Sequence, residues 1–280
     1  MKTLLCFGYG YSAQALGKRL IARGWRVIGT TRNPAKAERL RHAGVEALVW
    51  PGSPLLPALA EATHILASVA PDANGDPLLR EHGADIAAAR PAWAGYLSTT
   101  GVYGDHAGGW VDEDTPLTPG TARGKWRVAA EVEWRATGLP LHIFRLAGIY
   151  GPGRGPFTKL REGRARRIVK PDQVFSRIHV EDIAQVLDAS IARPSPGAIY
   201  NVCDDDPAAP EAVIGHAAQL MGLPLPPMED WETADMTPLA RSFYAENKRV
   251  RNDRIKQDLG IDLIYPDYRK GLAALAAAER

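Results

Sequence analysis

At 280 residues, 45% hydrophobic and with a net charge of +2, the chain can build one large core or a large domain with a smaller one attached. So small a charge does not point to nucleic acid, and no stretch approaches the ~20 apolar residues of a membrane span. Two cysteines, Cys6 and Cys203, suggest neither a disulfide framework nor a metal site, which fits a reducing, cytoplasmic setting.

The first predicted strand, residues 3–7, runs into Gly8-Tyr9-Gly10-Tyr11-Ser12-Ala13, and a helical pattern follows over 12–22. Lys2 and the apolar residues after it imitate a secretion signal, but Gly8 and Gly10 break the apolar run too early. The G-x-G-x-x-A spacing at a strand-to-helix junction fits a dinucleotide. Gly8 allows the tight turn, Gly10 lets backbone approach a pyrophosphate, and Ala13 lets helix pack on strand. The helix start, with Tyr11 and Ser12, offers N–H groups to the anion. Cys6 reads as a buried thiol in the strand.

Further strands are predicted at 26–30, 45–49, 64–68, 95–98 and 141–145, with helices at 34–42, 76–89 and 123–137. This alternation predicts an α/β fold, a doubly wound parallel sheet with helices on both faces. The second strand ends Ile28-Gly29-Thr30-Thr31-Arg32-Asn33, with no acid before Glu38. An acid there would hold the ribose of NAD; Thr31 and Arg32 instead suit a 2′-phosphate. NADP(H) is therefore favoured, with NAD(H) the alternative. His64, opening a strand, reads as structural.

After residue 151 the texture changes. Gly151-Pro152-Gly153-Arg154-Gly155-Pro156 reads as a loop, and a basic stretch covers 161–167. A strand-to-helix transition follows around 178–192, then a strand at 198–202 and Pro-rich breaks at 207–210 and 223–227. A helix at 268–278 ends the chain. The expected division is a dinucleotide-binding domain at 1–155, with 176–202 returning to it, and a smaller substrate domain at 156–175 and 203–280.

Four further segments carry a resemblance. They are Ser98-Thr99-Thr100-Gly101-Val102-Tyr103-Gly104, Arg145-Leu146-Ala147-Gly148-Ile149-Tyr150-Gly151-Pro152-Gly153, Ser176-Arg177-Ile178-His179-Val180-Glu181-Asp182-Ile183-Ala184 and Tyr200-Asn201-Val202. In this order they resemble the extended short-chain dehydrogenase/reductases of the NAD-dependent epimerase/dehydratase type. The glycine run departs from that family's G-x-x-G-x-x-G, which points to an atypical subgroup. The resemblance implies a Rossmann-type sheet with a small C-terminal substrate domain. It also implies cofactor contacts at Ser68 and Val69, and a small-molecule substrate rather than nucleic acid or membrane. A homodimer is left open.

Such proteins typically use Tyr-x-x-x-Lys on one helix face, beside a Ser/Thr. Thr99 falls at the Ser/Thr position. Counting back from Ala129-Ala130-Glu131, Arg127 falls at the lysine position and Arg123 at the tyrosine position. Arg127 can supply positive charge beside a nicotinamide ribose; Arg123 cannot readily donate a proton. Lys125 lies about 200° round the helix from Arg123 and does not replace it. Tyr244 and Lys248 have the right spacing but lie far downstream, and read as coincidence. Tyr103 is the alternative proton donor. Thr100, Tyr103, Arg154, Arg177 and His179 are candidate substrate contacts; His179 equally suits a loop-bonding role. The expected function is an oxidoreductase or epimerase-like protein acting on a carbonyl or hydroxyl compound of anionic character. The alternative is a dinucleotide sensor or scaffold that lost its tyrosine.

Overall fold

The computed structural model describes residues 1–278. Seven strands form the central sheet: β1 (Thr3–Phe7), β2 (Arg26–Thr31), β3 (Glu46–Val49), β4 (His64–Ala67), β5 (Trp93–Thr99), Leu141–Leu146 and Ile199–Val202. Their spatial order is Ile199–Val202, Leu141–Leu146, β5, β4, β1, β2, β3, and every neighbouring pair is parallel. The chain starts at the centre, winds out through β2 and β3, then returns to β4 on the other side of β1. The strand order reverses there, so the loops leaving β1 and β4 diverge and open a crevice at the carboxyl ends.

Every residue of β1 is buried, because helices cover both faces of the sheet. Leu4 and Cys6 face one core with Leu16 and Leu20 of α1 (Tyr11–Ile21), Leu40 of α2 (Pro34–His42) and Ile183 and Leu187 of Val180–Ala192. Leu5 and Phe7 face the other. That core holds Leu59 of α3 (Leu56–Glu61), Leu78 and Ile86 of α4 (Pro77–Ala88), and Ala130 and Trp134 of α5 (Ala122–Ala136). The sequence reading missed α3, a six-residue helix with a proline in its first turn.

A third core joins Phe157 and Leu160, Val213 and Ala217, and Tyr268 and Leu272 from the helices Pro156–Arg161, Pro210–Leu220 and Tyr268–Ala278. The expected boundary at 203 needs a correction. Val250, Ile255, Leu259, Ile261 and Leu263 all enter the first core, and Arg249–Val250 pairs in parallel with Trp110–Val111. The stretch 250–263 thus packs with the sheet and not with the third core. No helix among the described residues is long and apolar enough to cross a membrane.

Candidate functional site

The glycine turn occupies the crevice. Gly8 has φ +78, a conformation favourable to glycine, and its N–H donates to Thr30 Oγ1 at 2.8 Å. Tyr9 is turned inward. A Cβ on Gly17 would stand 1.8 Å from the Tyr9 hydroxyl, and one on Gly29 would stand 2.7 Å from its ring, so both glycines make room for this side chain. Gly10 differs. A Cβ there would meet only Gly8 O, at 3.6 Å, so nothing in the protein demands glycine. Its free space faces the cleft, which Gly10, Tyr11 and Ser12 line at the start of α1. Helix N–H groups of that first turn lack intrahelical acceptors, and no acid sits there to compete with an anion. These residues fit the pyrophosphate of a dinucleotide.

Beside the turn, Thr31 ends β2 and accepts a bond from Asn33 N. Arg32 is exposed. The sequence reading overlooked Lys36, whose Nζ donates to Tyr9 O at 2.7 Å, across the glycine turn. Burial pulls its pKa down. The available signal was a second cation four residues after Arg32. Ser68 lines the cleft, while Val69 packs on Gly8, with Cγ2 3.1 Å from where a Cβ would stand.

The cleft extends from Gly10 to the third core, with a volume of about 1370 Å³. Thr99, Thr100, Arg123, Arg127, Arg154 and Arg177 all line it. Thr99 also caps the short 3-10 helix Thr100–Tyr103, accepting from Gly101 N. Arg127 reaches inward, and Nη1 donates to Tyr96 OH and Leu97 O, both at 2.9 Å. Arg123 turns outward to Ser242 Oγ at 3.1 Å and stacks over Phe243.

Tyr103 is not in the cleft, contrary to expectation. It is fully buried; its hydroxyl donates to Asn201 Oδ1 at 2.7 Å and accepts from Arg145 Nη1 at 2.9 Å. Burial pushes its pKa up to about 12. Held there, its hydroxyl faces Asn201 and Arg145 and not the cleft. Its partners form a sealed floor beneath the cleft. Arg145 grips both oxygens of Glu131, at 2.9 and 3.2 Å, and Ser98 Oγ donates to the same carboxylate at 2.6 Å.

His179 likewise does not line the cleft. It is buried, its Nδ1 accepts from Glu181 N as the cap of Val180–Ala192, and its ring packs between Tyr150 and Tyr265. Burial pulls its pKa down to about 4, so the ring is neutral. His64 is a buried ring beside Trp25, as expected. Arg154 stacks over Tyr11. Arg177 bonds Phe175 O and Ala208 O; burial pulls its pKa down, opposed by nearby Asp204.

Tyr244 and Lys248 both line the cleft. They do not share a helix face: Pro238–Tyr244 is helical, and Lys248 lies in the loop beyond. Among the described lining residues, eight are cationic (Arg123, Arg127, Arg154, Lys159, Arg164, Arg166, Arg177 and Lys248) and one, Glu246, is acidic. Such a wall attracts anions.

No family model matches the chain. A functionally unknown conserved protein from Silicibacter pomeroyi is 62% identical to it, covers 100% of this chain and 99% of its own, and superposes with a TM-score of 0.95. The chain belongs to that protein's family. Protein YeeZ of Escherichia coli K12 is 28% identical over 283 residues, 95% of this chain and 97% of that protein. The dTDP-glucose 4,6-dehydratase of Bacillus anthracis, solved in complex with NAD, is 17% identical over 99% of this chain and 96% of its own, with a TM-score of 0.79. The architecture is thus the Rossmann-type fold of NAD-binding epimerases and dehydratases.

Proposed function

We propose that this protein is an NADP(H)-dependent oxidoreductase or epimerase-like enzyme acting on an anionic carbonyl or hydroxyl compound. The observation that carries the reading is the join between the glycine turn and a cleft wall of eight cations and one acid. Gly10, Ser12 and the start of α1 would hold the pyrophosphate, with Arg32 and Lys36 beside a ribose 2′-phosphate. A bound dinucleotide would supply hydride exchange at its nicotinamide ring. Thr99 would orient a substrate oxygen from the end of β5, and Arg127 would add positive charge. Arg154 and Arg177 would hold the anionic part of the substrate. NAD in the Bacillus dehydratase supports a nicotinamide dinucleotide here; the 2′-phosphate preference rests on the missing acid and on Arg32 and Lys36.

One observation favours a second reading, a dinucleotide sensor. Arg123 occupies the tyrosine position and is engaged with Ser242 and Phe243.

Calorimetric titration of NADPH and NADH tests the cofactor. NADPH should bind more tightly, and Arg32→Ala should remove most of the difference, about 1–3 kcal/mol for a charged hydrogen bond. Gly10→Val should abolish binding while leaving the melting temperature close to that of the parent, since the added side chain points into the cleft. Equal affinities in the unmutated protein would refute the NADP(H) assignment. Unchanged binding by Gly10→Val would refute the site. Oxidation of NADPH with a panel of phosphorylated aldehydes and ketones then separates enzyme from sensor.

A further inference from the structure

We infer that Lys248, positioned by Glu246, is the proton carrier of this cleft, supplied by the C-terminal crossover in place of a tyrosine on α5. This rests on the reading of the cleft as a site for a dinucleotide and a carbonyl or hydroxyl substrate.

Proton transfer at a reacting oxygen needs a group that releases a proton and takes it back. Arg123 and Arg127 cannot do so, because a guanidinium stays protonated. Tyr103 is sealed beneath the floor. Lys248 lines the same cleft as Thr99 and Arg127. Its Nζ donates to Gly104 O at 2.6 Å and to Glu246 Oε2 at 2.8 Å. An ammonium has three donors, so one N–H is left for a ligand. The two side chains are 11% and 13% exposed, yet both belong to the cleft wall.

The pair stands against the start of α5. Glu246 Oε1 is buried without a hydrogen-bond partner, 3.6 Å from where a Cβ on Gly120 would be. Gly120 directly precedes Thr121, the cap of α5, whose first turn carries Arg123. Asn247 fixes the crossover between two loops. Its N–H donates to Asp105 Oδ1, its Nδ2 to Asp172 O, and its Oδ1 accepts from Val174 N. Its carbonyl accepts from His106 N and Gly108 N. The other charges on this side are Asp105, which lies near both Lys170 and Lys248, and Arg123 and Arg127 of α5.

In the reducing direction, hydride from the dihydronicotinamide ring joins the carbonyl carbon. The carbonyl π pair moves onto oxygen, which takes a proton from Lys248 Nζ. The ring is oxidised, the carbonyl becomes an alcohol, and the neutral amine regains its proton from water. The reverse direction begins with the amine accepting the hydroxyl proton.

Pyridoxal 5′-phosphate tests this without a known substrate. It is an anionic aldehyde that condenses only with an unprotonated amine. The whole protein, with and without NADPH, is treated across a pH series, reduced with borohydride and mapped by peptide mass. Lys248 should take the label over the same pH range as Lys159 on the same cleft. Glu246→Gln removes the carboxylate that favours the ammonium, so half-labelling of Lys248 should move down by about 1 pH unit, roughly a tenfold gain in label at a fixed lower pH. A lysine that merely props Gly104 is not reached by the aldehyde. Lys248 unlabelled where Lys159 labels, or a profile unmoved by Glu246→Gln, overturns the inference. NADPH titration of the same sample reports separately on the dinucleotide reading, so the two can fail independently.

Discussion

The two ends of the cleft are built by different means. At the glycine-turn end the wall is backbone: a glycine turn and a helix start stand on a sheet whose strands are buried on both faces. Beneath β5, Arg145 and Glu131 are 2% and 1% exposed and bonded on all sides, so Thr99 stands on a stiff floor. At the far end the wall is made of side chains on short elements. Pro238–Tyr244 has no buried residue at all. It is tethered by Arg123 to Ser242 and by Arg241 to Trp231 O and Ala234 O. A pyrophosphate presents the same geometry whatever the substrate, so rigid backbone suits it. A variable anion is better met by long cationic side chains on elements that adapt.

The sharpest way to break this contrast is Arg145→Met. It leaves the Glu131 carboxylate buried without its guanidinium, which should cost about 3–5 kcal/mol in urea unfolding. A loss below about 1 kcal/mol would show that the floor is no stiffer than the substrate end.

The next effect comes from the His179 cap of Val180–Ala192. Its folded pKa of about 4 lies below the ordinary 6.5, so the unfolded chain binds the extra proton first as pH falls. Stability from this group is therefore full above pH ~6.5 and is lost on the way down to ~4, by up to about 3 kcal/mol. Asparagine can also accept the Glu181 N–H but does not titrate. Unfolding of His179→Asn should accordingly show a flatter acid limb between those pH values. An unchanged limb would mean that the ring protonates freely in the folded protein.

The smallest effect is expected from Arg123→Ala. It removes one exposed hydrogen bond and one cation–π contact, and should cost no more than about 1 kcal/mol globally. Hydrogen exchange should nevertheless quicken across 238–244 and stay unchanged in β5. Equal protection of both segments, before and after the change, would erase the distinction between the two ends.

How much of this was legible in the sequence depends on how far each signal reaches. Alternating strands and helices, the glycine turn and the missing acid after β2 are local patterns, and the structure places each where the spacing implied. The short helix Leu56–Glu61 escaped because a proline in a six-residue run gives no periodicity to read. Lys36 escaped because its role depends on reaching back over the turn to Tyr9 O.

The sequence by itself determined the doubly wound sheet and the position of the glycine turn, because backbone geometry follows from neighbouring residues. Tertiary structure decided which side chains face the cleft. Tyr103 sits in a segment that resembles a catalytic one, but it is claimed by Arg145 and by Asn201, 98 residues away. His179 is consumed by the helix that follows it and by Tyr150 and Tyr265. Lys248 enters because Arg249–Val250 pairs with Trp110–Val111 and carries the residue before it onto Gly104. Each outcome depends on a partner distant in the chain, and the direction of a side chain is set by whichever distant partner offers the better hydrogen bond or packing.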